Sequence, residues 1–117
     1  MNTQEHPQVC IGITTFNSYN TIDKCIESAL SQSWKKIEII IVDDCSEDET
    51  INKIIKIAKK YRNIKYFLNK KNMGVAYSRN VIIDNAKSEF ICFFDDDDYS
   101  SQNRILEQYK SIIKYKN

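Results

Sequence analysis

Strands and helices alternate along these 117 residues, and the chain reads as an α/β fold, a mostly parallel sheet with helices on both faces. Three observations predict it. Short β-rich apolar runs recur along the chain, the apolar residues between them fall at helical spacing, and polar residues gather where the runs end.

The first run, residues 9–14, reads Val-Cys-Ile-Gly-Ile-Thr. From Thr21 the period changes, and Ile22, Cys25, Ile26, Ala29 and Leu30 share one helical stripe. Residues 37–42, with Ile39, Ile40 and Ile41, form an almost continuous branched apolar run, as expected of a strand covered on both faces. Ile51, Ile54, Ile55, Ala58 and Tyr61 mark a second amphipathic helix. Glu47, Asp48 and Glu49 near its start, and Lys59, Lys60 and Arg62 near its end, suit the helix dipole. Asp43 or Asp44 can cap this helix, with Ser46 the closer candidate. Residues 64–68 are a third short strand. Val75, Arg79, Ile82 and Ala86 trace a third helix, with Gly74 just before it. Residues 90–94 are the fourth strand, and Ile105, Leu106, Tyr109, Ile112 and Ile113 form the stripe of a final helix. Trp34, Tyr61 and Tyr66 read as packing residues, and residues 1–8 and 114–117 as loose ends.

Composition excludes several function classes. The length suits one domain, because two halves would each be too small for a core. With 17 Lys plus Arg against 16 Asp plus Glu, the net charge of +1 gives no support to nucleic-acid binding. No run approaches the roughly 18 apolar residues of a membrane span, and residues 1–7 lack the basic-then-apolar pattern of a signal peptide, so the cytoplasm is the expected compartment. Cys10, Cys25, Cys45 and Cys92 form no CxxC pair and meet a single histidine, which argues against structural zinc and for reduced thiols. With only Gly12 and Gly74, neither GxxxxGK[ST] nor GxGxxG can exist, and a dinucleotide dehydrogenase is excluded. A receiver domain needs an acidic pair after its first strand, where this chain has Thr14 and Thr15.

In open parallel sheets ligands bind beyond the carboxyl ends of the strands, where the strand order reverses. The first strand ends at Thr14-Thr15-Phe16-Asn17, the second at Asp43-Asp44 and the fourth at Asp95-Asp96-Asp97-Asp98. Carboxylates crowded at one rim repel each other, and a hard divalent cation relieves that repulsion. Mg²⁺ or Mn²⁺ prefers one or two carboxylates completed by substrate phosphates and water. In an extended segment Asp95 and Asp97 point one way and Asp96 the other. The plain alternative is a solvated acidic turn.

Five ordered segments then carry a resemblance. Ile13-Thr14-Thr15-Phe16-Asn17 is similar to I-P-T-Y-N, with Thr14 in place of proline, and residues 28–33, Ser-Ala-Leu-Ser-Gln-Ser, are similar to S-x-L-x-Q-T. Residues 42–50, Val-Asp-Asp-Cys-Ser-Glu-Asp-Glu-Thr, resemble V-D-D-G-S-x-D-x-T, with Cys45 where glycine is common. Residues 72–80 resemble N-x-G-x-x-x-A-R-N, and residues 90–98 the strand that leads into a D-x-D-D metal motif. Together they resemble the family 2 glycosyltransferases, whose GT-A fold is a Rossmann-like α/β sheet that binds nucleotide-diphosphate sugars.

The resemblance implies roles. Thr15, Phe16 and Asn17 would lie along the nucleotide, with Phe16 near the base. Asp43 would bond a uracil-type base edge, with Asp44 supporting the loop. Arg79 would approach the nucleotide or its phosphates. Asp95 would contact ribose or sugar, with Asp96 beside it at the donor, and Asp97 would ligate Mn²⁺ or Mg²⁺, helped by Asp98. A UDP-sugar donor and a saccharide or lipid-linked acceptor are implied, with peripheral placement at the inner face of a membrane. In this family the acceptor site and the base of inverting transfer follow the metal motif. Here residues 99–117 read as one helix, on which nothing marks Glu107 as a base. Residues 1–117 are therefore expected to be a single donor-binding domain, truncated relative to the family, with weak or no transfer by itself. The other reading is an inactive nucleotide-binding or association module that pairs through an exposed fourth strand.

Overall fold

The computed structural model describes residues 6–116. Its elements alternate as β1 (Val9–Thr15), α1 (Ile22–Leu30), β2 (Ile37–Asp43), α2 (Thr50–Ala58), β3 (Ile64–Leu68), α3 (Val75–Asn85), β4 (Phe90–Asp95) and α4 (Arg104–Lys116). The four strands form one sheet in the order β3-β2-β1-β4, and every pairing is parallel. The α/β expectation holds. Strands β1, β2 and β4 each continue one residue beyond their apolar runs, because Thr15, Asp43 and Asp95 follow on in extended backbone.

Alternate strand residues face opposite sides, and the core divides accordingly. Ile11, Ile13, Ile39 and Ile41 pack with Ile26 of α1, Ile54 of α2 and Ile105 of α4. Cys10, Ile40 and Val42 face Ile82 of α3. All of β2 is buried, because β1 and β3 flank it and helices cover both faces, as its unbroken apolar run predicts. Gly12 seats α3: a Cβ there would come within 2.8 Å of Ile82 Cγ2 and 3.1 Å of Phe93 Cδ1. Glu38, nearly buried on β2, holds the turn before β4 by accepting the Lys87 and Ser88 backbone N–H groups, each at 2.8 Å.

Several local expectations change. The buried side of α3 is Ser78 and Ile82, whereas Val75 and Arg79 are exposed. Trp34 is buried against Tyr109, but Tyr61 and Tyr66 are about two-fifths exposed, at 41% and 37%. Neither Ser46, Asp43 nor Asp44 caps α2; Asp48 does this work, its Oδ1 accepting the Thr50 N–H at 2.9 Å. The loose-end expectation fails where it can be seen: residues 114–116 belong to α4, and the Pro7 carbonyl accepts the Trp34 Nε1–H at 3.0 Å beside the His6 ring; residues 1–5 and 117 lie outside the described residues. All four cysteines are free thiols, and burial together with the Glu38 charge pushes Cys10 up to about 12. No helix among the described residues is long and apolar enough to cross a membrane.

Candidate functional site

From β1 the chain steps outward through β2 to β3, then crosses to the other side of β1 for β4. Such a reversal opens a crevice between the carboxyl ends of the two strands beside it. Here it is a cavity of about 390 Å³. Thr14, Thr15 and Phe16 line it from β1, Asp44 from beyond β2, Val75 and Ser78 from α3, and Asp95, Asp96 and Asp97 from β4.

The β1 and β2 ends are laced together. Asn17 has a positive φ of 49°; its N–H donates to Ser46 Oγ at 2.8 Å, and its Oδ1 accepts the Glu47 N–H at 2.8 Å. Ser46 in turn gives its N–H (2.8 Å) and its hydroxyl (2.6 Å) to the two oxygens of Asp43. Asp43 is thus fully buried inside the wall and is not among the cavity-lining residues. Cys45, between the acids and Ser46, has a φ of +64°, a backbone region where glycine is the easy residue.

Asp44 organises the entrance to α3. Its oxygens accept the Met73 N–H at 2.7 Å, the Gly74 N–H at 2.9 Å and the Asn69 amide at 2.9 Å. Gly74 has a φ of +92°, which only glycine adopts easily. Burial alone would raise the Asp44 carboxyl, but these donors outweigh it and hold the group below its ordinary value.

The four aspartates divide their work. The Asp96 carboxylate turns onto the β1 loop, accepting the Phe16 N–H at 3.2 Å and the Ser18 hydroxyl. Asp95 and Asp97 line the cavity, and among the described residues neither forms an ion pair. Desolvation and the charges of Asp95 and Asp97 push the Asp98 carboxyl up, against the opposing charge of Arg104. Among the described residues no three acidic, histidine or cysteine side chains converge to hold a metal ion unaided. The donor set still fits Mg²⁺ or Mn²⁺, which takes its remaining ligands from phosphate and water: mutually repelling carboxylates open to a cavity, and among the described residues Asp95, Asp97 and Asp98 form no ion pair with a protein cation.

Phe16 is 42% exposed on the cavity wall, so it is not core. Thr15 is buried with a hydroxyl that has no hydrogen-bond partner among the described residues. Of the expected site residues, Asn17, Asp43, Arg79 and Asp98 do not line the cavity; Arg79 is exposed on α3, its guanidinium carbon 5.0 Å from the centre of the Phe93 ring. Ser18, Asn69 and Arg104 lie outside the sequence motifs, and Ser78 lies within residues 72–80 with no role expected of it. Ser18 meets Asp96 and Asn69 meets Asp44 from far along the chain, whereas Arg104 meets Ser100 four residues away, and no apolar period marks any of these contacts.

Residues 10–117 match the model of the family described as Glycosyl transferase family 2. The chain is 41% identical over 115 residues to the UDP-Glc:alpha-D-GlcNAc-diphosphoundecaprenol beta-1,3-glucosyltransferase of Escherichia coli, covering 93% of this chain and 45% of that protein. The structure of S. aureus TarS 1-349 in complex with UDP-GlcNAc superposes with a TM-score of 0.79 at 29% identity, over 92% of this chain and 31% of that one. A mannosyltransferase of Pyrobaculum calidifontis, solved with GDP-Man and Mn²⁺, shares the fold with a TM-score of 0.74 at 22% identity, over 79% of this chain and 28% of that one. The chain spans less than half the length of these proteins.

Proposed function

The chain belongs to glycosyl transferase family 2, and from that premise we propose that it forms the donor-binding part of a transferase that uses a nucleotide-diphosphate sugar. The observation that carries this reading is the cavity at the strand reversal, with an exposed aromatic ring on one wall and unpaired carboxylates on another. A uridine nucleotide is the donor class, supported by the TarS complex with UDP-GlcNAc and by the UDP-Glc in the name of the E. coli relative.

Each residue then has a task. Phe16 and Val75 offer apolar faces to the base, and Thr15 brings a hydroxyl without a partner. Asn17 and Asp44 fix the loops around the base end, while Asp96 holds the backbone of Phe16. Asp43 would meet a base edge only by releasing Ser46, and Arg79 would meet a phosphate only by leaving Phe93. Asp95 would face ribose or sugar, and Asp97 with Asp98 would hold Mn²⁺ or Mg²⁺. When bound, that cation supplies Lewis-acid stabilisation of the charge on the departing nucleoside diphosphate.

Inversion needs a base on the acceptor hydroxyl, opposite the leaving group. Glu107 sits on the exposed side of α4, 3.9 Å from Lys110 Nζ, and has no such role in this reading. No residue among those described is assigned as the base in this reading. A lipid-linked saccharide, as in the name of the E. coli relative, is the acceptor class, and it favours peripheral placement at a membrane face. Calorimetric titration of UDP in Mn²⁺ tests the donor reading. Binding that weakens at least about tenfold in Asp97→Ala supports it, and no heat of binding with the metal present would sink it.

One observation favours an additional role in association: β4 is an outer strand, with one edge not paired to any other strand of the sheet. Light scattering at high concentration tests this, and a monodisperse monomer contradicts it.

A further inference from the structure

Arg104 opens α4, just after the acidic loop, and its guanidinium makes three contacts. Nη2 donates to the Phe93 carbonyl at 3.0 Å, Nη1 donates to Ser100 Oγ at 2.9 Å, and the guanidinium carbon lies 4.4 Å from the centre of the Phe94 ring. Phe93 and Phe94 immediately precede Asp95, and Ser100 follows Tyr99. One planar group therefore clamps both ends of the loop that carries the four aspartates.

The surrounding contacts make that clamp matter. Gln32, buried after α1, donates to the Ser101 carbonyl at 2.7 Å and accepts the Ile105 N–H at 3.0 Å, so the chain on both sides of Arg104 is anchored. Within the loop, Asp98 N–H donates to the Asp95 carbonyl at 3.0 Å, and Asp96 is bound to Phe16 and Ser18. Among the described residues no side chain forms a hydrogen bond or an ion pair with the Asp97 carboxylate. Its position is set by the loop backbone, which Arg104 clamps at both ends and which Asp96 and the Asp98–Asp95 turn restrain in between. A lysine could not replace Arg104, because an ammonium lacks the flat fork that reaches two acceptors while stacking on a ring.

We propose that Arg104 is a positioning residue for the cation and diphosphate: it holds the acidic loop so that Asp97 is presented to a metal ion, although its own charge opposes that ion. This inference rests on the donor-site reading above. The two effects of Arg104 have opposite signs, and that makes them separable.

The experiment measures UDP affinity by calorimetry in Mn²⁺ and again in EDTA, and takes the ratio as the gain due to metal. Arg104→Gln and Arg104→Lys are each expected to cut that gain about tenfold, the scale seen when groups that orient metal ligands are removed. Ser100→Ala removes only one anchor and perturbs the fold least, so it is expected to lower the gain in the same direction by less. If Arg104 acted only as a nearby charge, Arg104→Gln would raise the gain and Arg104→Lys would leave it unchanged. If it were only a structural brace, the variants would melt earlier, yet the gain of the folded protein would stay the same. Either pattern overturns the inference while leaving the donor site intact. A wild-type chain that binds UDP with no gain from metal overturns the cation reading and this inference together.

Discussion

Two aspartate clusters stand at the carboxyl ends of β2 and β4, the strands on either side of β1, and the fold treats them in opposite ways. Beyond β2, Asp43 and Asp44 are buried and each carboxylate accepts two or more protein donors. Beyond β4, Asp95, Asp97 and Asp98 are exposed, and only Asp96 is tied down. The first pair stabilises loops as carboxylates; among the described residues, Asp95, Asp97 and Asp98 of the second group form no ion pair. Buried, saturated acids build a site, and repelling, unsaturated acids await a ligand.

The largest expected effect breaks the first cluster. Asp44→Ala strands the Met73 and Gly74 N–H groups and should destabilise the fold by about 3 kcal/mol in urea denaturation. A loss near zero would mean that these hydrogen bonds are not holding the α3 entrance. Acid should expose the same dependence. The Asp44 carboxyl is held below its ordinary value, so the folded state binds its proton less tightly than the unfolded state does. Its contribution is complete at neutral pH and disappears as the pH falls below about 4 through the folded value. Stability measured against pH should therefore drop less steeply on the acid side in Asp44→Asn than in the wild type. Asp98, pushed up instead of down, contributes with the opposite sign.

A smaller effect sharpens the comparison at Cys45. Its left-handed backbone strains any side chain, and Cys45→Gly should stabilise the chain by about 1 kcal/mol in the same denaturation experiment. The smallest effect belongs to the second cluster. Without metal, Asp97→Ala should change stability by less than about 0.5 kcal/mol, since the protein makes no bond to that carboxylate. A large loss there would erase the distinction between the two clusters.

Most of the fold was legible because its cause is local. The change of apolar period located all eight elements, and the unbroken run of branched residues marked β2 as the strand covered on both faces. The strand ends also located the acids that line the cavity, Asp44, Asp95, Asp96 and Asp97. Their division of labour was not legible. Asp43 and Asp44 look alike in sequence, yet one is closed off by Ser46 three residues away and the other by Met73 and Gly74 about thirty residues away. Arg79 sits in a motif but stacks on Phe93, a partner that α3 meets only through packing on the sheet. Arg104 sits outside every motif and yet clamps the loop that matters most. Cys45 was the exception: a residue in the place of a common glycine already hinted at the positive φ found there.

The central claim is that the unsaturated cluster beyond β4 holds a cation on the diphosphate of a bound nucleotide. Its most direct test is anomalous diffraction from crystals grown with UDP and Mn²⁺. A manganese peak beside Asp97, with the uracil against Phe16 and the diphosphate between them, is the expected result. A nucleotide bound elsewhere, or manganese bound away from residues 95–98, would contradict it.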